Sequence, residues 1–133
     1  PQQRLRALRV LVDAGIEANV GMAPILPGLS DKPDLLADVV RAAREAGATG
    51  VWANLLHLQP GTKEHFLRAL ERDWPELVPQ YEELYRTSGY LKRADAEPTR
   101  EVVRGLVRAH GIRDRRRVRL RPPPEPEQLQ LAV

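Results

Sequence analysis

An α/β fold built on parallel strands is predicted by two apolar runs and by the way each of them ends. The first spans residues 18–31 and reads Ala-Asn-Val-Gly-Met-Ala-Pro-Ile-Leu-Pro-Gly-Leu-Ser-Asp, and the second spans residues 51–58. Each runs into a Pro-Gly pair, Pro27-Gly28 and Pro60-Gly61, and one helical pattern lies between them. A helical crossover joins strands in parallel, whereas a tight hairpin joins them antiparallel. Proline has no amide hydrogen for a ladder, so residues 18–23 are expected to form the first strand and Pro24 to end its pairing. In sheets of this kind ligands bind beyond the carboxyl ends of the strands. Any chemistry is therefore expected around residues 19–31 and 53–63.

The elements follow from spacing. Residues 3–14 place Leu5, Leu8, Leu11 and Val12 on a helical stripe, with arginines at 4, 6 and 9 elsewhere. Gly15 suits the left-handed residue that closes such a helix. After the Pro27-Gly28 turn, Ser30 or Asp31 is expected to cap a second helix that starts near Pro33. That helix carries Leu36, Val39, Val40 and Ala43 on its stripe and stops at Gly47. Asp13-Ala14-Gly15 and Glu45-Ala46-Gly47 are the same ending used twice, each shortly before a strand. Beyond Pro60-Gly61 the pattern is helical only. Residues 63–72 and 76–86 are expected as helices separated by Trp74-Pro75, residues 87–97 as a surface loop, and residues 98–110 as a last helix. Tyr81, Tyr85 and Tyr90 are read as packing residues. Residues 113–133, with an arginine run and Pro122-Pro123-Pro124, are expected to be extended or disordered.

Composition narrows the partners. At 133 residues the chain has room for one domain, and its 42% apolar content suffices for a core. No run approaches the roughly 20 apolar residues of a membrane span and no signal peptide is visible, so a cytoplasmic protein is expected. The absence of cysteine excludes disulfides, thiolate zinc sites and iron–sulfur ligation by these residues. Residues 1–112 are electrically balanced, while residues 113–133 hold six arginines against three carboxylates. Two parallel strands alone do not make a stable sheet, because both faces need cover and both edges need partners. Together with Pro1 in place of an initiator Met, this leads to the expectation that the chain is a piece of a longer protein whose missing strands precede it.

Residues 14–31, in the order Ala-Gly-Ile-(x)3-Val-Gly-Met-Ala-Pro-Ile-Leu-Pro-Gly-Leu-Ser-Asp, resemble the later half of radical S-adenosylmethionine proteins. The resemblance is to the spore photoproduct lyase-like branch, which often has Ala-Pro-(x)2-Pro-Gly-Leu-(Asn or Ser)-Asp here. Leu55-Leu56-His57-Leu58-Gln59-Pro60-Gly61-(x)4-His65-Phe66, Trp74-Pro75-Glu76-Leu77 and Tyr81-Glu82-Glu83-Leu84-Tyr85 are similar to the same branch, so that about residues 4–93 are covered. The resemblance implies the C-terminal part of a partial (βα)6 TIM-like barrel followed by several helices. Residues 1–62 would supply the last two strands, residues 63–112 a helical extension and residues 113–133 a basic tail. It also implies a parent enzyme that cleaves S-adenosylmethionine reductively to a 5′-deoxyadenosyl radical at a 4Fe-4S cluster, with lyase-type repair of a DNA lesion as the reaction. The cysteine triad that holds the cluster is absent, so the partner needed is the N-terminal half of the barrel, and the chain alone is expected to be inert.

Under that resemblance Asn19 would hold a ribose hydroxyl or the methionine carboxylate, or else be satisfied by nearby backbone. Gly21, on the same strand face, would admit the adenosine or mark tight packing. Ala53, Asn54 and Leu55 are candidates for backbone pairing with adenine, and His57 for a cofactor or substrate contact or simple packing. The loop 27–31 would receive an anion at a helix start unless capping alone explains it. Lys63 is read as an anion contact or a solvated side chain. The spacing of His57, Glu64 and His65 matches no standard metal site. A non-enzymatic alternative is an α/β module that binds nucleic acid through the arginines between 113 and 121 in a salt-dependent way, although no aromatic residues are interleaved for base stacking.

Overall fold

The two apolar runs become adjacent parallel strands, β1 (Asn19–Ile25) and β2 (Gly50–Leu55), in a computed structural model that describes residues 1–112. Asn19 lies beside Gly50, Gly21 beside Trp52 and Met22 beside Ala53. Helix α1 (Gln2–Asp13) precedes β1 and α2 (Pro33–Glu45) joins the strands. After β2 come α3 (Thr62–Asp73), a 3-10 turn (Pro75–Leu77), α4 (Val78–Leu84) and α5 (Arg93–Ala109). The class is mixed α/β. The arginine run and the proline-rich tail, and with them the nucleic-acid contact expected there, lie outside the described residues.

Pro24 interrupts the ladder without ending the strand. The register shifts between Met22 and Ile25, and pairing resumes with Ile25 opposite Leu55. An irregularity of this kind is where a strand tolerates the missing N–H. The Leu56 amide then donates to the Ile25 carbonyl at 2.9 Å. β2 stops at Leu55, short of the expected residue 58, because the Leu58 amide turns away to the Gly89 carbonyl at 2.8 Å.

Paired residues of parallel strands point their side chains to the same face. On one face Met22 and Ile25 are buried with Leu36 and Val40 of α2 and Val103 and Val107 of α5. Each such aliphatic side chain stabilises the fold by about 1.5–3 kcal/mol when fully buried. A second cluster sets Leu8 of α1 against Ala43, Ala46 and Ala48, with Val20 packed on it. The other face is bare: Gly21, Ala23, Trp52 and Asn54 are all exposed. Among the described residues the sheet has two strands, so each keeps one edge without a neighbour.

The repeated Ala-Gly endings close their helices as the sequence predicts. The Gly15 and Ile16 amides donate to Val12 and Leu11, and those of Gly47 and Ala48 to Arg44 and Ala43. This is the paired bonding of a Schellman end, with the glycine at positive φ. At Gly47 a side chain would also strike Val12 Cγ1 at 2.8 Å. The stripes are narrower than the spacing predicts: Leu11 and Val39 are exposed. Each helix meets cover on one side only, so residues at the margin of the stripe stay in water.

The C-terminal part departs most from expectation. α5 begins at Arg93, inside the expected loop, and runs through Pro98. Proline inside a helix removes one intrahelical hydrogen bond. Buried Ala96 and the 2.5 Å Arg104–Glu97 ion pair, which straddles Pro98, hold the first turns in place. The expected helix over 76–86 is a 3-10 turn followed by α4, with Pro79 in the first turn of α4, where no N–H is needed. α5 packs with α2 against the strands, whereas α3 and α4 pack on the strand ends.

Candidate functional site

The carboxyl ends of both strands are covered by α3 and α4. Leu58, Leu70, Tyr81 and Tyr85 form a buried cluster to which Leu29 and Leu56 belong from the strand side. Two phenols tie the cover down: Tyr81 donates to the Pro27 carbonyl at 2.8 Å and Tyr85 to the Leu56 carbonyl at 2.7 Å. Lys63, half-buried, donates to the Tyr85 carbonyl at 2.6 Å and so also ties the cover to the start of α3.

Burial pushes both phenols well above the ordinary tyrosine range, and the charges of Tyr85 and Asp31 add to this at Tyr81. Because the folded-state pKa is the higher one, the neutral phenols stabilise the fold fully below the unfolded value near pH 10, and the contribution is lost as pH rises beyond it. Urea midpoints measured against pH should therefore fall more steeply above about pH 10 for the wild type than for Tyr81→Phe/Tyr85→Phe. The limit is about 1.4 kcal/mol per pH unit per tyrosine.

Neither Ser30 nor Asp31 caps α2. The Ser30 hydroxyl accepts from the Leu26 amide at 2.8 Å and the Asp31 carboxylate from the Gly28 amide at 2.9 Å. Lys32 is the residue at the N-cap of α2, and it makes no side-chain cap. The short loop is thus stapled by its own polar side chains, and an anion arriving there would meet a carboxylate.

Of the six predicted site residues, Asn19, Ala53 and Asn54 line one groove, whereas Gly21, Leu55 and His57 do not. Asn19 lies at the amino end of β1, where its Oδ1 is 3.4 Å from the Thr49 hydroxyl, which itself bonds the Ala18 carbonyl at 3.0 Å. Six residues of strand, about 20 Å, separate it from the carboxyl end of β1. Gly21 is covered by the Trp52 ring: a Cβ on Gly21 would sit 2.6 Å from Trp52 Cζ2. Tight packing by the protein's own indole is thus what this glycine permits. Ala53 and Leu55 turn their side chains to the helix face and offer only backbone. Asn54 stands on the bare face. His57, half-buried beyond the end of β2, stacks on Tyr90 with ring centroids 3.7 Å apart and planes 12° from parallel. Tyr90 is 65% exposed, so it shields the histidine and is not a core residue.

The charged side chains that join Asn19, Ala53 and Asn54 there are ones that sequence reasoning passed over. A groove of ≈ 960 Å³ follows the outer edge of β2, and Arg93, Arg100, Arg104 and Arg108 of α5 line it opposite Trp52 and Asn54. The signal was present, since Arg100, Arg104 and Arg108 recur at intervals of four. What the sequence did not disclose was that this face of α5 borders the sheet edge. Glu97 is the one acidic side chain lining the groove. The hydrogen bond from Arg104, then the charges of Arg104, Arg93 and Arg100, hold its carboxyl below the usual range. Among the described residues no three His, Asp or Glu side chains are grouped to hold a metal ion, and none of the helices is long and apolar enough to cross a membrane.

No protein-family profile and no solved structure matches the chain. It is similar to uncharacterized proteins of Mycobacterium bovis (Mb2609c) and Mycobacterium tuberculosis (MT2655 and Rv2578c), each 40% identical over 107 residues. The similarity takes in 80% of this chain and 32% of each relative, so the chain spans about a third of the length of the curated proteins it matches.

Proposed function

We propose that this chain is the C-terminal portion of a radical S-adenosylmethionine enzyme of the spore photoproduct lyase-like branch, with β1 and β2 as the last strands of a partial (βα)6 barrel. The observation that carries the reading is the one-sided coat of helices on a two-stranded parallel sheet. In a barrel the helices lie outside and the inner strand faces look onto the cavity, whereas a free-standing parallel sheet needs cover on both faces. Here α2 and α5 cover one face, and Gly21, Trp52 and Asn54 leave the other open. The matched 107 residues make up only 32% of each mycobacterial relative, which leaves room there for the remaining strands.

The chain does not fit the iron–sulfur cluster, because it contains no cysteine. Cluster ligands would have to come from the N-terminal remainder. Toward S-adenosylmethionine the chain offers the outer edge of β2 near Ala53, Asn54 and Leu55, beside which no strand lies among the described residues, and the His57 ring beyond it. Asn19, at the far end of the strand, is the weakest member of the predicted set. The reaction assigned to the whole protein is radical-initiated and lyase-like on a DNA lesion, a substrate that rests on the resemblance. The test uses the full-length protein, reconstituted without oxygen and reduced with dithionite in the presence of S-adenosylmethionine. Formation of 5′-deoxyadenosine, followed by chromatography, is the expected result. A full-length sequence without a cysteine triad, or no deoxyadenosine from iron-loaded protein, refutes the proposal.

A further inference from the structure

We infer that the groove along the outer edge of β2 binds a segment of single-stranded nucleic acid, with phosphates on Arg93, Arg100 and Arg108 and one base on the exposed face of Trp52. The residues that line this site all lie between 19 and 112. It shares the outer edge of β2 near Ala53 and Asn54 with the groups assigned above to S-adenosylmethionine, and its test reads nucleic-acid binding alone.

Three features of the groove define the ligand. The first is an excess of positive charge, four arginines against Glu97 in the lining. Arg104 is held by Glu97 at 2.5 Å and lies 3.6 Å from Glu101, while none of the ion pairs among the described residues takes Arg93, Arg100 or Arg108. At 1.5 Å of rise per residue these three guanidiniums start about 10 and about 12 Å apart along α5. That is a row suited to a repeating polyanion and not to a single small anion. Arginine also presents the forked donors that match phosphate oxygens.

The second feature is the seating of Trp52. Its six-membered ring lies over Gly21, to which a Cβ would bring Cε2 and Cη2 within 3.0 Å. One ring face is thereby fixed against the sheet. The residue stays 47% exposed, an unusual state for a tryptophan inside a strand. A base stacked on such a ring contributes about 1–3 kcal/mol and needs no particular sequence. The third feature is the pair of amides, Asn19 and Asn54, that line the groove with it. Stacking on Trp52 requires an unstacked base, which favours a single strand over a duplex, and an acidic peptide would leave the indole face unused.

The test measures binding of a short fluorescein-labelled oligothymidylate to the full-length protein by anisotropy across a salt series. The arginines beyond residue 112 are retained in every variant, so differences belong to the groove. Arg100→Glu/Arg108→Glu should weaken binding more than tenfold and reduce the slope of log K against log salt by about 1.4, at roughly 0.7 per phosphate contact on a single strand. Arg100→Lys/Arg108→Lys keeps the charge but loses the forked donors, so it should bind between the wild type and the glutamate variant with the wild-type salt slope. Trp52→Ala should cost about tenfold with the salt slope unchanged, since stacking releases no counterions. Wild-type affinity in the charge-reversed protein, or in Trp52→Ala, overturns the inference. So does a lysine variant whose salt slope falls as far as that of the glutamate variant, because its charge is retained. Equal competition by polyglutamate also overturns it, in favour of an acidic protein partner. Loss of deoxyadenosine formation has no bearing on these readouts, so the two proposals fail separately.

Discussion

Replacing Tyr81 with alanine is expected to destabilise the protein by about 3–5 kcal/mol, the range for removing a large aromatic side chain from a packed core. The ring is fully buried between Phe66, at 5.2 Å, and Tyr85, at 5.9 Å between centroids. Its hydroxyl also carries the bond to the Pro27 carbonyl, across 54 positions of sequence. Tyr81→Phe keeps the ring and removes only that bond, which should cost about 1–3 kcal/mol because the carbonyl loses its protein partner. Denaturant unfolding of the two variants beside the wild type separates packing from hydrogen bonding. If Tyr81→Ala unfolds within about 1 kcal/mol of the wild type, the cover formed by α3 and α4 is not the buried unit described above. The consequence reaches the site, because this cover fixes the Pro27 turn at the end of β1.

The second large effect is expected at Gly89. A Cβ there would overlap the Leu58 carbonyl oxygen, which is backbone and cannot swing aside, and would come 3.2 Å from His57 Nε2. Gly89→Ala must therefore push residues 88–90 away from the 57–58 segment beyond β2 and break the bond from the Leu58 amide to the Gly89 carbonyl. Overpacking of this sort costs about 1–3 kcal/mol, and a buried amide left without a partner costs about 1–3 kcal/mol more. The His57–Tyr90 stack should open with it. The chemical shifts of the His57 ring protons, which now lie against the Tyr90 face, should move toward those of a free imidazole. Ring shifts unchanged in Gly89→Ala would mean that the 88–90 segment does not hold Tyr90 in place.

How far the sequence carries the reading differs by element. The two strands, the helix between them and the two Ala-Gly endings are legible because each rests on local chemistry. Glycine accepts positive φ, proline gives no amide, and apolar residues recur with the period of their element. Pro24 reads as a terminus from sequence alone, because a bulge depends on how the neighbouring strand accommodates it. Pro98 reads as a helix start, yet burial of Ala96 and the Glu97–Arg104 pair favour one more turn ahead of it. Ser30 and Asp31 suit caps by residue type and instead staple the Pro27-Gly28 loop, since both acceptors and both donors lie within four residues. Lys63 is free to point anywhere until the Tyr85 carbonyl arrives beside it.

The sequence by itself determined the α/β class, the order of its elements and the exclusion of cysteine chemistry from this chain. Those properties depend on residue type and on spacing within a dozen positions. Tertiary structure alone decided that Trp52 lies across Gly21, that Tyr90 stacks on His57, and that four arginines of α5 border the edge of β2. These pairings join residues far apart in the chain, or depend on the turn of a helix about its axis. No local preference specifies them: they arise only when burial of the Met22, Leu36 and Val103 cluster fixes which face of each element turns inward.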